Sequence, residues 1–370
     1  MSLESQIEKA RKEIVADGYE MSFGEVMNLY RDKELIISPS FQRLFRWDPA
    51  RKSRFIESLL LGIPIPPIFV FTNKGGEWEL IDGLQRISTV LEFAGLLLSP
   101  EGEISPASVL EGTKYLPALK GMRWELGPGQ TGKEIGKAMQ INIKRARLRV
   151  EILKPESDPL AKYELFQRLN TGGVGLSEQE VRNCVAVMLN KELYDWMLKA
   201  AKDVSFITTT DQTDEALKQQ SAIELVLRFI AFRHVPYNNI FDVHPYLDDA
   251  LIQLASGKIK GFSQSKELSV FKRTFALLDK ALGHKAFKRW ADGDFKGKFL
   301  MSLFEVIATG VSQNIDALSK LTPDKAKSFI VKKAKELWNE QTFAKNSGAG
   351  VRGTTRLANL LPMAAVWFKP

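Results

Sequence analysis

Three Gln-Arg pairs, each behind a bulky apolar residue, are the side chains best equipped for chemistry: Phe41-Gln42-Arg43, Leu84-Gln85-Arg86 and Phe166-Gln167-Arg168. Arginine carries five N–H donors in a rigid fork that grips phosphate through two bonds. Glutamine adds an amide that donates and accepts, and so can orient a water or meet a base edge. The middle pair lies in Ile81-Asp82-Gly83-Leu84-Gln85-Arg86, between a strand-like and a helix-like run. There Gly83 lets backbone approach a ligand, and the first turn of a helix offers unpaired N–H groups to an anion. Arg86 can hold phosphate, and Asp82 can hold a divalent metal or orient a water nucleophile. The bland alternative makes Asp82 a helix cap, Gly83 a turn glycine, and Gln85 and Arg86 solvated.

Two further segments speak the same language. Arg43 and Arg46 sit among Phe41, Phe45 and Trp47, where aromatics can stack bases while arginines hold phosphates. They equally suit a core-edge loop whose arginines pair with Asp82. Asn170-Thr171-Gly172-Gly173 follows Arg168 and can form an anion-binding nest of N–H groups, or simply end a helix. No Gly-x-x-x-x-Gly-Lys-Ser/Thr loop occurs in the chain. His234, His244 and His284 are far apart, lack metal spacing, and read as structural or surface residues. The lone cysteine, Cys184, sits in a helix-like run and reads as a buried inert thiol. It permits neither an internal disulfide nor a cysteine zinc site, and a reducing cytoplasm is the expected setting.

The elements that must position these residues follow from local patterns. Helices are expected over residues 1–18 and 23–31, and a short strand over 34–38. Asp48 caps a helix that opens with Pro49 and runs to Leu61. Ile63-Pro64-Ile65-Pro66-Pro67 is extended by necessity. Strands at 68–71 and 78–81 form a hairpin, and a helix spans 85–97. Residues 99–132, rich in Gly and Pro, form an irregular insertion. Residues 145–153 alternate apolar and charged, as a half-exposed strand with arginines on its open face. A helix at 159–169, a loop at 170–175 and a helix capped by Ser177 and Glu180 complete this half. Beyond residue 190 strand signals fade and helical runs dominate. The expected fold class is α+β: a mixed domain over 1–195, then an all-α domain over 196–370 with a basic surface and tail.

At 370 residues and 44% hydrophobic content the chain can bury two cores. No apolar run reaches the roughly 20 residues of a membrane helix, and no secretory leader is read at the start. The net charge is +8, concentrated in residues 133–154, 258–298 and 332–369. Localised positive charge points to a polyanionic partner, with DNA the first expectation, over general solubility.

Four ordered motifs carry a resemblance: Ser38-Pro39-Ser40-Phe41-Gln42-Arg43, the run from Phe55 to Pro67, Ile81 to Val90, and Phe166 to Gly173. Together, over roughly residues 20–190, they resemble the GmrSD-type N-terminal domain family. The resemblance implies a ParB/sulfiredoxin-like fold. It also implies nucleoside triphosphate binding and hydrolysis with Mg2+ or another divalent metal, in bacterial defence against foreign or modified DNA. Carried over by position, Asp82, Gly83, Gln85 and Arg86 form the phosphate-handling turn, with Asp82 the metal ligand. Gln42 and Arg43 line the same pocket, Arg46 stands beside them, and Arg168, Asn170 and Thr171 approach it. The family usually has Gln where this chain has Leu84, which supports binding more than hydrolysis. Many relatives carry a C-terminal His-Asn-His nuclease domain, and no such motif occurs here. DNA cleavage is therefore expected from the first domain or from a partner nuclease or defence subunit. The alternative is a non-catalytic nucleotide- or DNA-sensing module that recruits that nuclease. Homo-oligomers are compatible with either.

Overall fold

The computed structural model describes residues 2, 16–38, 42, 47–127, 129, 131–154, 178–213, 216, 220–238, 241–348 and 350–370. They fall into two compact units, Met1–Gly175 and Leu176–Pro370.

The first unit is built on a five-stranded mixed sheet. Its elements are β1 (Ala16–Ser22), α1 (Phe23–Arg31), β2 (Leu35–Ile36), α2 (Pro49–Leu60), β3 (Ile68–Thr72), β4 (Trp78–Asp82) and α3 (Leu84–Phe93). A tiny parallel pair follows, β5 (Met122–Arg123) with β6 (Lys133–Glu134), then α4 (Lys137–Arg145) and β7 (Arg147–Leu153). The strand order is β1-β7-β3-β4-β2. β3 and β4 are the expected antiparallel hairpin. β7 runs parallel to β3 and antiparallel to β1, and β2 parallel to β4. The alternation of β7 holds over its first four residues, with Leu148 and Val150 buried and Arg147 and Arg149 exposed, and then breaks: Ile152 is half-buried and Leu153, on the other face, is buried. Residues 16–18, expected in a helix, pair instead with β7, Ala16 opposite Leu153. A long ladder outweighs a weak helical preference here. Ser2 apart, the rest of that expected helix lies outside the described residues, as do the elements expected at 159–177.

Caps set two helix starts. Ser22 accepts from the Glu25 N–H at 3.2 Å and Asp48 from Arg51 at 2.7 Å. The sequence reading missed α4, which the basic run disguised. It also missed how the insertion is held. Glu57 on α2 is 6% exposed and accepts from the N–H groups of Tyr115 at 3.0 Å and Leu116 at 2.9 Å, and from the Thr113 hydroxyl. Ser53, one turn earlier, accepts from the Glu111 N–H at 2.8 Å. One helix thus pins an otherwise irregular loop.

The second unit comprises α5 (Glu178–Leu189), α6 (Lys191–Ala201), α7 (Val204–Thr210), α8 (Ser221–His234), α9 (Val243–Ala255), α10 (Gln264–Leu282), β8 (Arg289–Ala291) and β9 (Asp294–Lys296). It continues through α11 (Met301–Gln313), α12 (Ile315–Leu318), α13 (Pro323–Glu336), α14 (Gln341–Asn346) and α15 (Gly353–Trp367). α5 packs on α6 and α9, so the division falls at 175/176, ahead of the expected 195. The expectation of an all-α unit is corrected by the hairpin β8–β9. Its turn, Asp292-Gly293, has φ of 50° and 81°, the left-handed pair that Asp-Gly supplies to tight hairpins. That dipeptide was the legible signal.

The core of this unit is aromatic. Phe206, Phe229, Phe271 and Phe275 pack with centroids 4.5–5.6 Å apart. α15 contains Pro362, and packing on α11 sustains it. The two helices meet at Gly310, where a Cβ would lie 2.5 Å from the Ala364 carbonyl oxygen.

Candidate functional site

The strand order brings several segments to one end of the sheet. β4 ends at Asp82, opposite Phe69 near the start of β3. Because β7 is parallel to β3, its first residue, Arg147, lies at that end as well. The proline segment leading into β3 and the α4–β7 junction therefore flank the Asp82–Arg86 turn.

Gly83 makes the turn possible. Its φ is +99°, and an added Cβ would lie 2.3 Å from Cγ2 of Ile68. No other residue meets both demands. Gly83 is also the N-cap of α3 and, having no side chain, makes no side-chain cap bond, so the helix opens directly at this turn. Asp82 is not the cap; its carboxylate has another partner. Oδ2 of Asp82 accepts from Nη2 of Arg86 at 2.7 Å, and Nη1 of Arg86 donates to the Pro66 carbonyl at 3.0 Å. The pair is partly buried, with side-chain exposures of 28% and 13%. Arginine thus ties the turn to the proline segment and keeps donors in reserve, since it has five.

Gln85 accepts at Oε1 from the Trp47 N–H at 3.1 Å, anchoring the segment that leads into α2. The Trp47 ring then packs edge-on against Phe55 at 5.6 Å. Leu84 is 5% exposed, so the departure from the family's usual Gln fills core and removes no exposed polar group. Gln42 donates to the Tyr30 hydroxyl at 3.4 Å, and that hydroxyl also accepts from the Leu98 N–H at 3.1 Å. These contacts lie toward the C-terminal end of α3 and share no residue with those of Arg86. Arg43, Arg46, Arg168, Asn170 and Thr171 lie outside the described residues.

Beside the proline segment runs an open groove of about 510 Å³. Leu61, Ile63 and Ile65 line one side, and Asn142, Arg145 and Arg147 the other. Its wall is the segment whose Pro66 carbonyl holds Arg86. Neither the groove nor Pro66 was legible as part of a site.

Residues 23–186 match the sequence profile described as the GmrSD restriction endonuclease, N-terminal domain. This segment belongs to the GmrSD N-terminal domain family. The Asp82–Arg86 turn and the proline segment both fall inside the GmrSD match. No curated protein matches the chain. A solved structure, described as a Pnob8-like ParB-N domain, aligns over 90% of this chain and 96% of its own at 12% identity. Its TM-score of 0.28 is too low to carry an argument about fold.

As to a metal, the GmrSD-type turn supplies one carboxylate, Asp82. Among the described residues no group of three or more His, Cys, Asp or Glu is arranged to hold an ion. That donor set does not fit a resident protein-held metal. It does fit magnesium carried in on a triphosphate, which takes one or two carboxylates and fills its shell with phosphate and water. No helix among the described residues is long and apolar enough to cross a membrane.

Proposed function

We propose that this chain binds and hydrolyses a magnesium–nucleoside triphosphate at the Asp82–Arg86 turn, within a restriction-type defence against foreign or modified DNA, on a ParB/sulfiredoxin-like fold. One observation carries the reading: a GmrSD-type segment whose Gly83 turn sets an arginine and a carboxylate at the open start of α3. The first-turn N–H groups and the spare donors of Arg86 suit a phosphate group. As charge builds on the phosphoryl oxygens, a positioned guanidinium stabilises it more than it stabilises the ground state. Asp82, released as Arg86 turns to phosphate, orients the attacking water. The DNA that restriction implies is cut by the first unit or by a partner nuclease.

A second reading is favoured by one specific observation: Arg86 already has two good partners. A guanidinium so braced suits recognition without turnover, a sensor that recruits a nuclease. Phosphate release with magnesium and each triphosphate, with and without DNA, separates the two. Turnover that vanishes in Arg86→Ala supports the first reading. A thermal-shift response to nucleotide with no phosphate release selects the second. Turnover unchanged in Arg86→Ala defeats the site assignment.

A further inference from the structure

We infer that the outer face of α13, together with the β8–β9 hairpin, is a seat for the phosphate backbone of duplex DNA. This rests on the reading above that DNA is the partner, and adds where the chain grips it.

Residues 283–298 hold five basic and two acidic side chains, and so do residues 323–336. The tertiary structure joins these two separate segments. Nζ of Lys335 lies 4.3 Å from the Trp290 ring centre on β8, and the Arg289 guanidinium lies 5.5 Å from that of Trp338, just beyond α13. α13 itself presents a shallow hollow of about 530 Å³ lined by Lys327, Ser328, Val331, Lys332, Lys335 and Glu336.

Most cations elsewhere in this unit that have a close partner are neutralised by carboxylates. Lys191 binds Asp195 and Arg273 binds Asp316, and within residues 283–298 Lys285, Lys288 and Lys296 bind Asp294, Asp211 and Asp292. On this face Lys335 and Arg289 rest on aromatic rings instead. Such a ring fixes a cation in place without cancelling its charge. Among the described residues Lys327, Lys335 and Arg289 have no carboxylate within salt-bridge distance, and Lys332 has only Glu336 at 3.8 Å. A lysine kept merely for solubility gains nothing from being held still. Arg289 stands directly opposite Lys296 across the hairpin, where Lys296 is held by Asp292 and Arg289, among the described residues, has no such carboxylate.

The chemistry selects the ligand. Lysines act as point charges and suit phosphates without reading sequence. Trp290 and Trp338 already carry cations on their faces, so the patch lacks the free aromatic platforms on which single-stranded bases stack. The expected ligand is therefore duplex backbone of any sequence.

The test is fluorescence anisotropy of the full chain with a labelled random-sequence duplex, across a salt series and without nucleotide. The triple variant Lys327→Gln, Lys332→Gln, Lys335→Gln is compared with a control of equal charge, Lys258→Gln, Lys260→Gln, Lys266→Gln. We expect the first to lose about tenfold or more in affinity at moderate salt, with the salt slope shallower by about 2–3. The control should change much less. If Lys335→Gln loosens the fold on melting, the double variant Lys327→Gln, Lys332→Gln should still lose several-fold. Equal losses in both triples, no loss in the first, no duplex binding by the wild type, or tighter binding of single strands would each overturn the inference. Nucleotide turnover is measured separately. Its absence leaves this test intact, and its survival alongside unaltered duplex binding sinks only the seat.

Discussion

Arg86 donates through Nη2 to Oδ2 of Asp82 at 2.7 Å, one helical turn back across Gly83. The same guanidinium reaches the Pro66 carbonyl at 3.0 Å, twenty residues earlier. The pair therefore ties the end of β4 to the segment that enters β3, and leaves the guanidinium further donors.

Arg86→Ala should lower stability to urea by about 1–3 kcal/mol, because it strands a partly buried carboxylate and a carbonyl. Arg86→Lys keeps the charge but lacks the fork, and should recover only part of the loss. An unchanged urea midpoint in Arg86→Ala would show that the brace contributes nothing.

Gly83→Ala meets two obstacles: a φ of +99° and a Cβ only 2.3 Å from Ile68. It should cost more than about 1 kcal/mol. Adding Ile68→Ala removes the 2.3 Å contact but leaves the Cβ of residue 68 at 2.9 Å and the dihedral, so the double variant should be somewhat less destabilised than the two single losses summed. Chemical denaturation of the four proteins measures this, and strict additivity would exclude the steric part.

Arg182 is 1% exposed and binds Glu224 at 3.1 Å, Asp248 at 3.2 Å and Gln179 at 2.8 Å. Glu224 in turn holds Arg228, which reaches Glu305, and Glu305 holds Arg356. Arg182→Met takes one partner from each of two largely buried carboxylates, of which Glu224 keeps Arg228, and should cost about 1–3 kcal/mol. Arg273→Ala breaks an exposed pair and should cost under about 1 kcal/mol. Similar losses in the two would mean that the buried network is no stronger than a surface pair.

Glu267 gives the helical unit a defined acid limb. Burial pushes its carboxyl up, but Arg233 at 2.9 Å and His234 at 3.1 Å outweigh that and hold it at about 2, against an ordinary 4.5. A carboxyl lowered by folding stabilises fully above its ordinary value, and that contribution fades as pH falls from about 4.5 toward about 2. Urea midpoints between neutral pH and pH 2.5 should therefore fall less steeply in Glu267→Gln than in wild type. Parallel curves would remove Glu267 from the account.

Much of the architecture was written locally. Asp48-Pro49 opens α2, residues 68–71 and 78–81 fold as a hairpin, and β7 alternates as expected over residues 147–150. Where a partner strand or helix decides, local reading fails: residues 16–18 join β7, and α15 persists through Pro362. Among the candidate site residues, Gly83 was readable as a turn glycine from its place between strand and helix, though its contact with Ile68 was not. Pro66 and the Tyr30 partner of Gln42 were not.

Periodicity, caps and Asp-Gly turns act within a few residues, so the amino-acid order alone determined many of the helices, the β3–β4 hairpin, the excess of positive charge and the polar turn after β4. Which carbonyl receives Arg86, which loop Glu57 holds, and that Lys335 comes to rest on Trp290 were decided only by tertiary structure. Long side chains find partners across strand order and helix packing, and those distances are set by the whole fold and by no single stretch of it.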